Sequence, residues 1–350
     1  MLVGKTMSRK TFRGHPIGMA GTGLVLALTL AGAQTQELGP TFTVKDEQLR
    51  APLSFIVYGD QRFTDPQNGQ SIPAMRQLLV KQIAKENPAA VILNGDVPNN
   101  GMLKDDYVVY ENETLAWRQA GLLVIAALGN HEMHGDERQC LENWWSAFPY
   151  LRNRRWYSTQ LGARVYVISL DSTSSLLAGS EQAKWLAQQI DGIGKSVDFV
   201  VITLHHPPVA DVQTHILVDH NPRPNEFALR DYLVQKAKTT HARFLVSAGH
   251  IHNYERHEQA GVMYLVSGGG GALPYHVERT PDDLYQGTEF PNYHYVKFVL
   301  DARSLKGVMY RVADPDNPNS AFEVKDSFEI MAKPRSSQSP VIPRDVKKTR

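Results

Sequence analysis

A chain of 350 residues with 42% hydrophobic and 21% charged residues can bury a substantial core, as one large domain or two ordinary ones, which excludes disordered and fibrous classes. Its 37 basic and 36 acidic residues give a net charge of +1, but Lys5, Arg9, Lys10, Arg13 and the stretch 333–350 gather positive charge at the two ends. The body between them is mildly acidic, so no nucleic-acid-binding surface is expected, and the single cysteine, Cys140, excludes an intrachain disulfide and a zinc site built on several thiolates.

Residues 1–33 read as an export signal: a basic start, an apolar stretch from Ile17 to Leu30, and Ala31-Gly32-Ala33 as a small-residue cleavage site. A retained N-terminal anchor is the alternative. Ser8-Arg9-Lys10-Thr11-Phe12 is similar to a twin-arginine export motif, with lysine in place of the second arginine. The expectation is an exported protein, periplasmic or secreted, with no transmembrane segment once the signal is removed. Residues 34–50 read as a polar lead-in and 333–350 as a disordered basic tail, leaving 51–332 as the folded domain.

In chain order, strand Phe55–Tyr58 runs into Gly59-Asp60-Gln61-Arg62. An amphipathic helix follows over 72–87, carrying Met75, Leu78, Leu79 and Ile83 at helical spacing. Strand Ala90–Leu93 ends in Asn94-Gly95-Asp96; a helix over 107–121 leads to strand Leu122–Leu128, which ends in Gly129-Asn130-His131-Glu132. Strand–helix–strand alternation implies parallel strands, whose C-terminal ends share one edge, so Asp60, Asp96 and Asn130 should converge. The second half reads as antiparallel strands at 156–158 and 164–170, a helix from Ser180 to Ile190 capped by Ser180, and strand Phe199–Leu204 ending in His205-His206-Pro207-Pro208. A polar loop over 209–225 carries His215 and His220, a helix spans 227–238, and strand Phe244–Val246 leads to Gly249-His250-Ile251-His252-Asn253-Tyr254-Glu255-Arg256. Strand Met263–Val266, the glycine run Gly268–Gly271, and a closing hairpin over 295–300 and 307–311 complete the body.

Residues two apart in an extended segment share a face, so His250 and His252 can present both imidazoles together. Set beside Asp60, Asp96, Asn130 and the His205-His206 pair, they make a donor set of oxygens and imidazole nitrogens suited to divalent first-row metals or Fe(III). Seven candidates exceed the needs of one ion, so two are expected, with Asp96 on the central strand as the natural bridge.

These motifs, GDQR, GD, GNHE, HHPP and GHIH over Phe55 to Gly271, resemble the calcineurin-like metallophosphoesterases. GHIHNYER is particularly similar to the purple acid phosphatase form. The resemblance implies an α/β fold, a four-layer α/β/β/α sandwich of two mixed sheets with flanking helices. It also implies two metal ions (Mn, Fe or Zn), a metal-bridging hydroxide, and a small-molecule phosphoester as substrate. Carried over, Asp60 and His252 bind the first ion, Asp96 bridges, and Asn130, His205 (or His206) and His250 bind the second. His131 contacts the phosphate and protonates the leaving group, while Glu132 fixes the His131 tautomer.

Two departures stand out. Arg62 occupies the place of the family's histidine in D-x-H and cannot ligate; it either forks onto the phosphate or makes a structural salt bridge. Asn99 stands where purple acid phosphatases carry a tyrosinate, so their colour is not expected; Asn99, Asn100 or water completes the shell. Glycines 268–271 either bring backbone close to the site or form an ordinary turn. His215 and His220 lie in a loop that either supplies a proton donor or is solvated, and Trp144 and Trp145 read as core or rim aromatics. The expected activity is phosphomonoester hydrolysis, the alternatives being diester hydrolysis (cyclic nucleotides or phospholipid-type diesters) and a non-catalytic protein that binds a phosphate ligand or a partner.

Overall fold

Short apolar runs rich in Val and Ile become the buried central strands of two mixed sheets in the computed structural model, which describes residues 39–65, 71–215 and 220–334. The export-signal reading of residues 1–33 and the tail beyond Pro334 lie outside the described residues. In chain order the elements are β1 (Phe42–Val44), β2 (Ser54–Tyr58), α1 (Pro73–Glu86), β3 (Ala90–Leu93), α2 (Lys104–Glu113), α3 (Leu115–Gln119), β4 (Leu123–Ala126) and α4 (Glu137–Ala147). Then come β5 (Tyr157–Leu161), β6 (Val165–Ser169), α5 (Glu181–Asp191), β7 (Phe199–Thr203), β8 (Val212–Thr214), α6 (Pro224–Thr239), β9 (Arg243–Ala248) and β10 (Tyr254–Gln259). The last are β11 (Val262–Ser267), β12 (His276–Glu278), β13 (His294–Leu300), β14 (Ser304–Val312) and β15 (Phe322–Met331).

One sheet has the order β15-β14-β13-β2-β3-β4 and the other β1-β5-β6-β7-β9-β11-β10. Side-chain alternation along the strands divides the core. Val167, Val201, Leu245 and Leu265 face the first sheet, whereas Ile168, Ile202, Val246 and Tyr264 face the layer of α5 and α6 through Leu186, Ile190, Leu229 and Leu233. On the far side of the first sheet, Met75, Leu79 and Ile83 of α1 and Trp117 of α3 cover β2 and β3. The result is the four-layer α/β/β/α sandwich expected from the motifs.

Parallel register fixes the site. Phe55 aligns with Ala90, and Ala90 with Leu123, so β2, β3 and β4 end together; Thr203 aligns with Ser247, so β7 and β9 also end together. Asn94 joins the two sheets at this edge: its side chain donates to Ser247 Oγ (3.0 Å) and the Ala248 carbonyl (3.2 Å), and accepts from Thr203 Oγ1 (3.0 Å).

Several local readings change. The helix expected over 107–121 starts at Lys104 and breaks at Thr114, whose hydroxyl donates to the Tyr110 carbonyl at 2.6 Å and so competes with the helical ladder. Helix α4 was not anticipated; Asp136 caps it by accepting the Gln139 N–H at 2.9 Å. Strands β10 and β15 are rich in charge, so their sequences carry no apolar run, and β15 extends the closing hairpin to three strands. Within the stretch read as lead-in, Phe42–Val44 runs parallel to β5 as an edge strand. Among the described residues no helix is long and apolar enough to cross a membrane.

Candidate metal centre

The loops leaving β2, β3 and β9 are strained where they carry polar residues. Asp60 (φ 61°), Arg62 (46°), Asp96 (55°) and His250 (71°) all sit in the left-handed region. Close backbone approach accompanies this. A Cβ at Gly249 would strike Asp60 Oδ2, and one at Gly268 would strike the Ile251 carbonyl, so the glycine run does bring backbone against the site. With Gly249 lacking a side chain, the His250 N–H donates to Asp60 Oδ2 at 2.8 Å.

Two imidazoles have their tautomers set by carbonyls. His205 Nδ1 donates to the Asn94 carbonyl (3.0 Å), which leaves the Nε2 lone pair facing Asn130 Oδ1 (2.9 Å), Asp96 Oδ1 (3.2 Å) and His250 Nδ1 (3.2 Å). His252 Nδ1 donates to the Leu273 carbonyl (2.5 Å), and its Nε2 faces Asp60 Oδ1 at 3.3 Å. Both of those facing atoms, Asp60 Oδ1 and His252 Nε2, are buried without a hydrogen-bond partner. Lone pairs gathered in a buried space call for a cation. Burial alone would raise the Asp96 carboxyl, yet His205, His131 and Arg62 hold it well below the usual range. Burial likewise opposes charge on His205, but Asp96 and then Asp60 push it up to about 9.

All six sequence-predicted ligands therefore meet at facing strand ends. Asp60, Asp96 and His205 each offer a ligand atom within 4.8 Å of the others, as do His205, His206 and His250, consistent with a dinuclear centre. His205 touches Asp96, Asn130 and His250, whereas the His206 Nδ1 is 2.8 Å from Ser172 Oγ.

Around this core, the His131 N–H donates to Asp96 Oδ1 (2.9 Å) and its Nδ1 donates to the Asn99 carbonyl (2.5 Å). Burial brings this imidazole down to about 4, against the pull of Asp96. The tautomer role expected for Glu132 is corrected: its carboxylate accepts instead from the backbone N–H groups of Asp96 (3.0 Å), Val97 (2.7 Å) and Gly129 (2.7 Å). Burial and the charge of Asp96 push Glu132 up to about 8, with His205 and the Val97 and Gly129 N–H groups acting in the opposite sense. Arg62 Nη2 lies 3.2 Å from Asp96 Oδ2. Of the two asparagines, Asn99 keeps a buried, unpartnered Oδ1, while Asn100 Oδ1 accepts the Met102 N–H. Trp144 belongs to the core.

Sequence reasoning missed Asn94, the tautomer anchor of His205, and Tyr275, whose ring stacks on His252 (4.1 Å) and on His220 (5.1 Å). Asn94 directly precedes the Gly95-Asp96 motif and was legible as a polar residue ending a buried strand. Tyr275 lies in irregular chain with no periodic signal.

A search of curated proteins gave no match. Among solved structures the fold is similar to purple acid phosphatase PPD1 from yellow lupin (Lupinus luteus) seeds, with TM-score 0.64 and 17% identity, over 80% of this chain and 54% of that one. The chain thus spans about half the length of the lupin protein. A dimetal phosphatase from Danio rerio aligns with TM-score 0.52 and 14% identity over 81% of this chain and 99% of its own. PhoD aligns with TM-score 0.53 and 11% identity over 80% and 70%. At these identities the likeness is one of fold. The calcineurin-like phosphoesterase family model matches residues 63–254, which include Asp96, Asn130, His131, His205, His250 and His252 but begin after Asp60 and Arg62. A match over more than half of the 350 residues settles the family: this chain belongs to the calcineurin-like phosphoesterases, which are phosphoric ester hydrolases.

Proposed function

We propose that this chain is an exported, metal-dependent phosphoesterase acting on small-molecule phosphate esters, most simply phosphomonoesters. The observation that supports this reading is the buried pairing of unpartnered Asp60 Oδ1 and His252 Nε2 beside the Asp96–His205–Asn130–His250 cluster. The donors are oxygens and imidazoles without sulfur, which fits manganese, iron or zinc. Asp60 and His252 would hold one ion and Asn130, His205 and His250 the other, with Asp96 shared. When bound, such a pair supplies water of lowered pKa and neutralises charge on phosphoryl oxygens.

The chain's own residues supply the rest. With Nδ1 of His131 donating to Asn99, Nε2 is the atom that, once it has taken up a proton, would deliver it to the leaving oxygen. Arg62 has an unpartnered Nε, so its guanidinium can leave Asp96 partly and fork onto phosphate. Asn94 and Leu273 hold His205 and His252 in the ligating tautomer. Export rests on the N-terminal sequence alone.

Asp96→Asn is expected to abolish hydrolysis of p-nitrophenyl phosphate, and retained turnover in a folded variant rules out the central role of Asp96. Comparing that ester with bis(p-nitrophenyl) phosphate at saturating manganese separates monoesterase from diesterase. The contact of Arg62 with Asp96 favours one other reading, a non-catalytic phosphate-binding protein; it predicts turnover of neither ester by wild-type protein with metal added.

A further inference from the structure

A second cluster of ligating groups shares no residue with this centre. Asp211, Glu255 and His257 are all at least nine-tenths buried, and one ligand atom from each lies within 4.8 Å of the other two. Glu255 and His257 share a face of β10, and Asp211 arrives from the segment after β7. Each residue keeps a buried polar atom with no hydrogen-bond partner: Asp211 Oδ2, Glu255 Oε1 and His257 Nδ1. The remaining atoms are oriented. The Asp211 N–H donates to Glu255 Oε2 (2.6 Å), Thr280 Oγ1 donates to Asp211 Oδ1 (2.6 Å), and His257 Nε2 lies 3.2 Å from Glu255 Oε2. The nearby cations are engaged elsewhere, Arg256 with Asp326 and Arg279 with Asp283.

The geometry points to a structural site for a zinc-class divalent cation held by Asp211, Glu255 and His257. Two buried carboxylates and one imidazole balance a divalent charge, whereas a protonated imidazole leaves a net negative charge in the interior. The imidazole favours zinc and its first-row neighbours over calcium or magnesium, and the bonds from Thr280 and the Asp211 amide are the kind that orient ligands. Asp211 stands on the segment carrying His205 and His206, and Glu255 follows His252. The ion therefore ties together two loops of the candidate metal centre.

The test is a metal count on full-length protein, stripped with chelator and dialysed against zinc. Wild type is expected to retain one ion per chain more than His257→Gln or Asp211→Asn, and to lose more thermal stability on chelation than these variants do. The ion should survive in an Asp96→Asn, His250→Gln background, which separates this site from the proposed catalytic pair. Equal counts in folded His257→Gln overturn the assignment and leave proton sharing among the three side chains. If neither variant folds, zinc-edge anomalous diffraction on wild type decides. A peak between the three residues supports the site, and none in zinc-loaded crystals overturns it.

Discussion

Replacing Glu132 tests how the loops of the candidate metal centre are held. Its carboxylate is fully buried and accepts three backbone N–H bonds, from Asp96 and Gly129 on Oε2 and from Val97 on Oε1. Alanine would orphan all three donors at roughly 1–3 kcal/mol each, a loss comparable with the roughly 5–15 kcal/mol that keeps a domain folded. Glutamine is more informative. It retains one acceptor oxygen but turns its NH2 toward at least one backbone N–H, so Glu132→Gln should cost about 1–3 kcal/mol. Urea unfolding reads this as a lower midpoint at unchanged slope. Because Glu132 does not touch the His131 ring, the shape of the pH–rate profile should stay the same while activity falls with the loosened loop. A Glu132→Gln midpoint within about 0.5 kcal/mol of wild type, or a displaced pH–rate profile, would refute the reasoning.

Arg76 is buried against Glu113 through two bonds (2.9 and 2.7 Å), so Arg76→Met should cost roughly 3–5 kcal/mol in urea and the double change with Glu113→Leu should recover much of it. Burial pushes His294 down to about 4, so between that value and the unfolded pKa near 6.5 the unfolded chain binds more protons and stability falls with acid. The His294 share of the loss between pH 7 and pH 5 should be about 2 kcal/mol, so the midpoint of His294→Gln should fall by about that much less than wild type over the same interval, both read from urea midpoints. Iron-loaded protein should lack a strong visible charge-transfer band, since Asn99 offers no phenolate; a purple colour would refute that placement.

The sheet edge was legible because Gly-polar dipeptides end successive apolar strands, and parallel pairing brings such ends together whatever their sequence separation. The candidate ligands stood out as oxygen and imidazole donors at those strand ends, and their division between two ions came from the family resemblance. What stayed hidden depends on partners that leave no periodic mark. Glu132 looked like a companion of His131 because it is adjacent, but the short 3-10 turn His131–Met133 points it at the Asp96 backbone instead. Strand β10 was concealed because the Glu255 and His257 of its buried face are polar, and a buried polar face reads as loop until its partners are known.

The left-handed residues connect the fold to the chemistry. Asp60, Arg62, Asp96 and His250 each pay on the order of 1–2 kcal/mol for positive φ, and of the four only Arg62 is of a residue type not enriched there. The compensation is non-local: the Asp60 N–H bonds to the Gly95 carbonyl (3.1 Å), the Arg62 N–H to the Asp96 carbonyl (3.0 Å), and the Gly249 N–H to the His205 carbonyl (3.0 Å). Each bond joins one loop bearing candidate ligands to another, and Asn94 pins the same loops across the two sheets. A change at one loop therefore shifts donors contributed by the others. Asn94→Ala, which removes no candidate ligand, should for that reason weaken metal affinity as well as stability, whereas loss of stability alone would show that the strands hold the ligand geometry without it.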